Sequence, residues 1–332
     1  MAELIEWGTG TLRELRDLTP DIRLFTIAPP PGFLPPTPGS HVHFLVPIGE
    51  RGGERTDVRS YSTVGVEGDG LCRVAVKKLP DSRGGSAYMW KLGPGARLTM
   101  SATPRNRFEL SRDRPDYLLV AGGIGITPLY GMALALADAG ARFRLLYGVQ
   151  TEADAAFAAE LRARIGERLE VVAGHPVDLP AAIAALLPGG EMYVCGPIGM
   201  LEAAKRAWAA SGRPAADLRF ETFGNSGRHA AEPFTVHIPR LGLRVDVPRN
   251  VTMLDALERA GVEMIYDCRR GECGLCTLPV LGADGIVDHR DVFFSDEEHA
   301  ANTHLCTCVS RVAGGSVTLD TGDRRLRRDA GL

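Results

Sequence analysis

The chain has 332 residues, 45% of them hydrophobic and 24% charged, with a formal net charge of -3. That balance suits a globular protein of two or three domains. It argues against nucleic acid or an anionic membrane as partner, since both reward a strong basic excess. Glu3 and Glu6 stand where a secretory leader would be basic and then apolar, so no export signal is expected and a cytoplasmic location is.

Residues 1–110 read as β-rich. Residues 41–46 and 72–77 alternate polar and apolar side chains, the period of half-buried strands. Pro29-Pro30-Pro31-Gly32, Pro35-Pro36-Thr37-Pro38-Gly39 and Gly93-Pro94-Gly95 supply turns, and short strands between such turns predict an antiparallel barrel. Residues 111–225 change character. Strands are predicted at 117–120, 143–147, 169–173 and 192–194, and helices at 129–139, at 154–165 and, after the last of these strands, through Ala210. The alternation predicts an α/β domain with a parallel sheet. Residues 117–137 carry no charge and are long enough to cross a bilayer, but Gly122, Gly123, Gly125 and Pro128 interrupt them. A strand, a tight loop and a helix are expected there instead, and no membrane span. Residues 226–235 read as a linker. A small α+β region follows, with a hairpin at 234–238 and 243–247, a helix at 253–260 and a last strand at 316–320.

Five of the seven cysteines fall at or beyond Cys268, which fits a metal site in a reducing compartment better than a secreted disulfide framework. Cys268, Cys273 and Cys276 stand at Cys-x4-Cys-x2-Cys, the spacing of a plant-type [2Fe–2S] loop, which needs a fourth, distant cysteine. Gly271 and Gly274 between them permit sharp turns and close approach of backbone N–H groups to sulfur. Structural zinc also takes four thiolates, usually as two short pairs, yet no second Cys-x2-Cys follows, and Cys306-Thr307-Cys308 is too tight to serve. Spacing alone leaves the fourth ligand open between Cys306 and Cys308.

Arg59-Ser60-Tyr61-Ser62 combines a cation able to grip phosphate, an aromatic face and two hydroxyls. Further on, Gly84-Gly85-Ser86 opens a predicted helix at 87–90, and a helix start with small residues suits a phosphate. Gly122-Gly123-Ile124-Gly125-Ile126-Thr127-Pro128 is not the Gly-x-Gly-x-x-Gly fingerprint but has its mechanical parts. Its glycines admit a pyrophosphate, Thr127 is expected to cap and Pro128 to take the first helical position. Cys195-Gly196-Pro197 follows another predicted strand at its C-terminal end, where α/β sheets bind ligands.

These motifs resemble the ferredoxin–NADP reductase superfamily. Their order, with the cysteine loop last, resembles the phthalate dioxygenase reductase family from about residue 10 to residue 320. The resemblance implies a multidomain β + α/β + α+β chain: an antiparallel flavin-binding β-barrel (1–110), a parallel-sheet NAD-binding domain (111–225), a linker (226–235) and a β-grasp plant-type ferredoxin domain (236–332). It implies FMN rather than FAD, a [2Fe–2S] cluster, NADH as donor and a terminal oxygenase of the Rieske type as partner. Flavin binding is implied for Arg59, Ser60, Tyr61, Ser62, Val76, Lys77, Gly84, Gly85 and Ser86. Nucleotide binding is implied for Gly122, Gly123, Gly125, Thr127, Pro128, Cys195, Gly196 and Pro197, with Cys195 positioning the nicotinamide. Phe223, within Phe220-Glu221-Thr222-Phe223-Gly224, is implied to stack on the flavin.

The same resemblance selects Cys308 as the fourth ligand. The family carries a stretch like Asp288-His289-Arg290-Asp291 and later one like Cys308-Val309-Ser310-Arg311 before a closing strand. The two additional residues this requires fit an insertion around Ala283-Asp284-Gly285. Two features depart from the family: the basic pair in Cys268-Arg269-Arg270-Gly271-Glu272-Cys273, and a basic tail at 324–328 expected to be a solvated end.

Gly148-Val149-Gln150-Thr151-Glu152 follows the predicted strand at 143–147 with no Lys or Arg before Arg162, which favours NADH over NADPH. No acid–base or nucleophile constellation is required, so His41, His43, His229, His289, His299 and His304 are expected to be structural or superficial. A monomer is expected. The alternatives are a stand-alone NADH-dependent flavin reductase acting on a small acceptor such as a quinone, and a non-enzymatic electron carrier or binding module.

Overall fold

The computed structural model describes residues 5–48, 55–65, 70–80, 82, 84–223, 227 and 229–326. The chain divides between Glu221 and Thr222 into two compact units.

The first unit opens with β1 (Trp7–Thr19), β2 (Ile22–Ala28), β3 (His41–Ile48), β4 (Arg55–Ser62), β5 (Cys72–Lys77), the short helix α1 (Gly85–Met89) and β6 (Arg97–Ser101). They form one antiparallel sheet in the order β4-β3-β6-β1-β2-β5. A bridge between Thr63 and Val74 joins its two edges and closes the barrel. Closure removes the exposed edges that would otherwise invite foreign strands. Alternate residues turn inward, so Phe25, Ile27, Val42, Phe44, Val74 and Met100 fill the interior.

The rest of this unit runs β7 (Tyr117–Gly122), α2 (Ile126–Asp138), β8 (Phe143–Val149), α3 (Ala158–Ile165), β9 (Leu169–Ala173), α4 (Leu179–Ala184), β10 (Glu191–Cys195), α5 (Ile198–Ala210) and β11 (Leu218–Glu221). The sheet is parallel throughout, ordered β11-β10-β7-β8-β9. Its central strand β7 is buried along its whole length, which explains the uncharged run from Tyr117. Among the described residues no helix is long and apolar enough to cross a membrane.

Some elements differ from expectation. The helix predicted over 154–165 starts only at Ala158. Thr151 and Asp154 close a capping box around one 3-10 turn at Glu152–Asp154, and Phe157 then turns left-handed at φ 64°. Phe157 is buried against Tyr130, ring centroids 5.0 Å apart, and this contact outweighs helix continuation. Helix α4 was not foreseen. Asp178 caps it by accepting the Ala181 N–H at 3.1 Å, with a proline in its first turn.

The second unit contains β12 (Phe234–Ile238), β13 (Leu243–Val247), α6 (Met253–Arg259), β14 (Thr277–Asp288), α7 (Asp296–Ala301), β15 (His304–Cys306) and β16 (Arg311–Leu319). The sheet order is β13-β12-β16-β14-β15, with β12 and β16 parallel and the other pairs antiparallel. Helix α6 buries Met253, Ala256 and Leu257 against it. The last strand begins at Arg311, earlier than expected: Gly314 and Gly315 lie at a register shift opposite Gly285, and beyond it Ala313, Val312 and Arg311 resume pairing with β14. Ser226 and Arg228 of the expected linker, and Arg327 and Arg328 of the basic tail, lie outside the described residues.

Candidate functional site

The cysteine loop spans the gap between α6 and β14. Gly271 and Gly274 hold φ values of 76° and 72°, which side-chain-bearing residues rarely adopt. A Cβ on Gly271 would stand 2.7 Å from Val309 Cγ2 and 2.8 Å from Asp291 Cα, so the loop packs against the segment that carries Cys308. Backbone N–H groups of Arg270 and Glu272 each donate to Cys268 Sγ at 3.4 Å. Cys276 lies against both Cys306 and Cys308, and all three are buried. Their S–H groups hold the Cys276 thiol down to about 3, while contact with Cys276, followed by burial, pushes Cys306 and Cys308 up. Burial raises Cys268 against its N–H donors.

The two candidates for fourth ligand differ in their neighbours. Cys308 accepts the Gly271 N–H and interacts with both Cys268 and Cys276. Cys306 lies in β15 opposite Thr277, and its main neighbours are Cys276, Asp291 and Cys308. A set of sulfurs around a loop whose amides point at sulfur fits an iron–sulfur cluster, and metal binding replaces the shared protons. The basic pair in the loop is neutralised locally. Arg269 pairs with Asp255 and covers the Tyr266 ring at 4.8 Å, and Arg270 reaches Glu272 at 3.1 Å.

In the barrel, Tyr61 and Ser62 end β4 opposite Val42 and His41. The Tyr61 ring meets Phe44 edge-on at 5.8 Å, and burial pushes its hydroxyl up to about 12 against the opposing charge of Arg59. Ser60 Oγ lies 2.8 Å from His43 Nδ1. The guanidinium of Arg59 pairs with Asp57 and donates to the Val58 carbonyl at 3.0 Å. Its stem lies over the start of α1, where a Cβ on Gly85 would come within 2.8 Å of Arg59 Cγ. Gly84 precedes this turn at φ 96°, and Ser86 Oγ lies 2.9 Å from Ser82 Oγ. A guanidinium laid across a glycine at a helix start fits the phosphate end of a flavin nucleotide. Val76 points its side chain into the barrel core while its carbonyl accepts from Trp90 Nε1 at 3.1 Å. Lys77 reaches Asp21 at 3.1 Å.

In the parallel sheet the two glycine-bearing loops meet at the C-terminal ends of β7 and β10. A Cβ on Gly122 would stand 2.6 Å from Pro197 Cδ, and one on Gly196 would stand 3.1 Å from Gly122 Cα. Gly123, at φ 52°, faces open space instead and leaves its backbone approachable by a pyrophosphate. Thr127 does not cap. Helix α2 starts at Ile126, so Thr127 is already its second residue and donates to the Ile124 carbonyl at 3.0 Å. Pro128 is accordingly the third helical residue rather than the first. The missing N–H costs nothing there, because first-turn amides lack helical partners. Cys195 is buried at the end of β10. Phe223 is half-buried and belongs to the second unit.

One residue was not anticipated. Glu191 begins β10 with its carboxylate wholly buried, accepting from Tyr193 at 2.7 Å, Arg219 at 2.6 Å and Ser111. Burial works to raise it, and these donors more than offset that and hold it below its ordinary value. A lone Glu ahead of an apolar run carries no such signal in sequence.

A barrel, a parallel sheet with loops at its ligand-binding end and a cysteine-loop domain define a nicotinamide-nucleotide-dependent flavin and [2Fe–2S] oxidoreductase. Residues 236–313 match the 2Fe-2S iron-sulfur cluster binding domain family, and residues 119–175 the oxidoreductase NAD-binding domain family. The chain belongs to the phthalate dioxygenase reductase family. It is 32% identical to phthalate dioxygenase reductase of Burkholderia cepacia over 324 residues, covering 90% of this chain and 93% of that one. A solved structure of a phthalate dioxygenase reductase superposes with a TM-score of 0.72 at 29% identity, over 95% of this chain and 98% of that one. The putative toluene-4-sulfonate monooxygenase system reductase subunit of Comamonas testosteroni is 37% identical over 295 residues, 85% of this chain and 88% of that one.

Proposed function

We propose that this chain is the reductase component of a Rieske-type oxygenase system, carrying electrons from NADH through FMN and a [2Fe–2S] cluster to a terminal oxygenase. The observation that carries the reading is the setting of Cys308, which takes the Gly271 N–H and interacts with both Cys268 and Cys276. The oxygenase-system relatives, matched across most of their length, support the choice of partner.

When bound, the flavin accepts the donor's electron pair and the cluster passes electrons singly. The protein's part is placement. Arg59 with Gly84, Gly85 and Ser86 holds the FMN phosphate, and Ser60, Tyr61, Ser62 and the Val76–Lys77 backbone line the ring. Gly122, Gly123, Gly125, Thr127, Pro128, Gly196 and Pro197 shape the nucleotide loops, and Cys195 positions the nicotinamide. Phe223 is assigned to the flavin on the family resemblance. Cys268, Cys273, Cys276 and Cys308 hold the cluster. NADH is favoured because Gln150-Thr151-Glu152 offers no cation to a 2′-phosphate, and Asp154 adds a carboxylate bonded to Thr151 at 2.8 Å. The barrel (1–110), nucleotide domain (111–225), linker (226–235) and ferredoxin domain (236–332) are the proposed working parts of a cytoplasmic monomer.

The test uses the purified, cluster-replete protein. Anaerobic NADH should bleach the visible spectrum, and acid should release FMN. Cys308→Ser should keep ferricyanide reduction but lose reduction of cytochrome c. Full cytochrome c turnover without the cluster would favour the stand-alone flavin reductase, and failure of NADH to bleach the flavin would favour the electron carrier.

A further inference from the structure

His289, Asp291 and His299 converge where β14 ends and α7 begins. Their ligand-type atoms all lie within 4.8 Å of one another. The Asp291 side chain is fully buried and that of His289 is 8% exposed. His299 Nε2 lies 3.0 Å from Asp291 Oδ2, and the two imidazoles stack with centroids 4.5 Å apart.

The tautomer of His289 sharpens the picture. Its Nε2 lies 2.8 Å from Asn302 Oδ1, and an amide oxygen only accepts, so Nε2 carries the hydrogen. In the neutral ring Nδ1 then presents a lone pair. That atom is buried without a hydrogen-bond partner and faces Asp291 Oδ1 across 3.9 Å. The carboxylate also accepts from the Phe294 N–H at 3.1 Å and Ser310 Oγ at 3.4 Å. Burial works to raise Asp291, but its bonded neighbours, His299 and the Phe294 N–H among them, more than offset it and hold the carboxylate below its ordinary value. Two lone pairs facing each other away from water are unfavourable unless a positive centre lies between them.

A separation of 3.9 Å is too long for a hydrogen bond. Bonds of about 2.0–2.1 Å to one tetrahedral ion separate its ligands by about 3.3–3.5 Å. The two separations here, 3.0 and 3.9 Å, bracket that value. The Asn302 oxygen behind His289 is the outer partner that orients a metal-binding imidazole.

We propose that His289 Nδ1, the Asp291 carboxylate and His299 Nε2 form a binding site for a divalent transition-metal ion, distinct from the cysteine loop. Two imidazoles and one carboxylate are a donor set for zinc-like ions and leave coordination positions for water. The ion would tie the end of β14 to α7. It would also bear on the cysteine loop, because Asp291 packs against Gly271 and its carboxylate is bonded to Ser310, two residues past Cys308.

The test uses cluster-replete protein, stripped of loosely bound metal with a mild chelator and titrated calorimetrically with Zn²⁺ alone. One Zn²⁺ per chain is expected. His299→Ala, on a surface helix, and His289→Ala should each weaken it by about tenfold or more with iron content and visible spectrum unchanged. X-ray absorption of the zinc-loaded protein should show imidazole nitrogen in the first shell. The site does not exist if the protein binds no Zn²⁺ below about 0.1 mM, if His299→Ala binds as the parent does, or if the zinc sees only sulfur.

Discussion

The carbonyl oxygen of Cys195 occupies the space into which a side chain on Gly125 would project. The glycine turn after β7 and the Cys-Gly-Pro turn after β10 are therefore fitted backbone to backbone. Gly125→Ala must push them apart. It should destabilise the first unit by about 3 kcal/mol, as overpacking against backbone does. NADH-dependent ferricyanide reduction should fall with it. Parent-like urea unfolding together with parent-like activity would contradict this packing.

Cys306 and Cys308 are separated by one residue, and only one of them should matter to the cluster. Cys308→Ser should lose most bound iron and the red-brown absorbance. Cys306→Ser should retain both, because Cys308 is the one that takes the Gly271 N–H of the cysteine loop and interacts with Cys268. Iron and acid-labile sulfide analysis reads the outcome directly, and a bleached Cys306→Ser beside a coloured Cys308→Ser would reverse the assignment.

Arg59 is assigned to the flavin phosphate. Arg59→Ala should weaken FMN binding by roughly ten- to hundredfold, the worth of about 1.5–3 kcal/mol of charge-assisted hydrogen bonding. Fluorescence of released flavin on dilution measures it. The iron content of this variant should not change.

Glu191 gives the first unit an acid limb. Its native pKa lies below the ordinary 4.5, so its stabilisation is complete above that value and disappears as pH falls through the native one. Glu191→Gln should cost about 1–3 kcal/mol at neutral pH, because it removes the charge and turns one of the two acceptor oxygens into a donor, so that Arg219 and Tyr193 cannot both be served. It should also flatten the decline in urea midpoint below pH 4.5. An equally steep decline in the variant would place the acid sensitivity elsewhere.

The Gln150-Thr151-Glu152 turn should exclude a 2′-phosphate. NADH should exceed NADPH in kcat/KM by about tenfold or more, the worth of one charge-assisted contact. Glu152→Arg should narrow that ratio. Steady-state rates with both donors decide.

Much of this was legible in the chain itself. The cysteine spacing, the alternation in the barrel strands and the glycine breaks around an uncharged run are short-range patterns, and each maps onto a local backbone requirement. Other features were not. Thr127 reads as a cap, yet the helix starts two residues earlier, with Gly125 fitted against Cys195. Residues 154–157 looked helical, but burial of Phe157 on Tyr130 bends them away. The Glu191 cluster and the His289–Asp291–His299 group bring together residues whose meeting depends on how strands and helices pack. Ligand types and turn residues are written locally, so the order of residues alone tells which chemistries the chain is equipped for. Which sulfurs gather around Cys276 and which imidazole lone pair faces a buried carboxylate could be read from the folded chain alone, because both depend on how segments remote in the chain pack together.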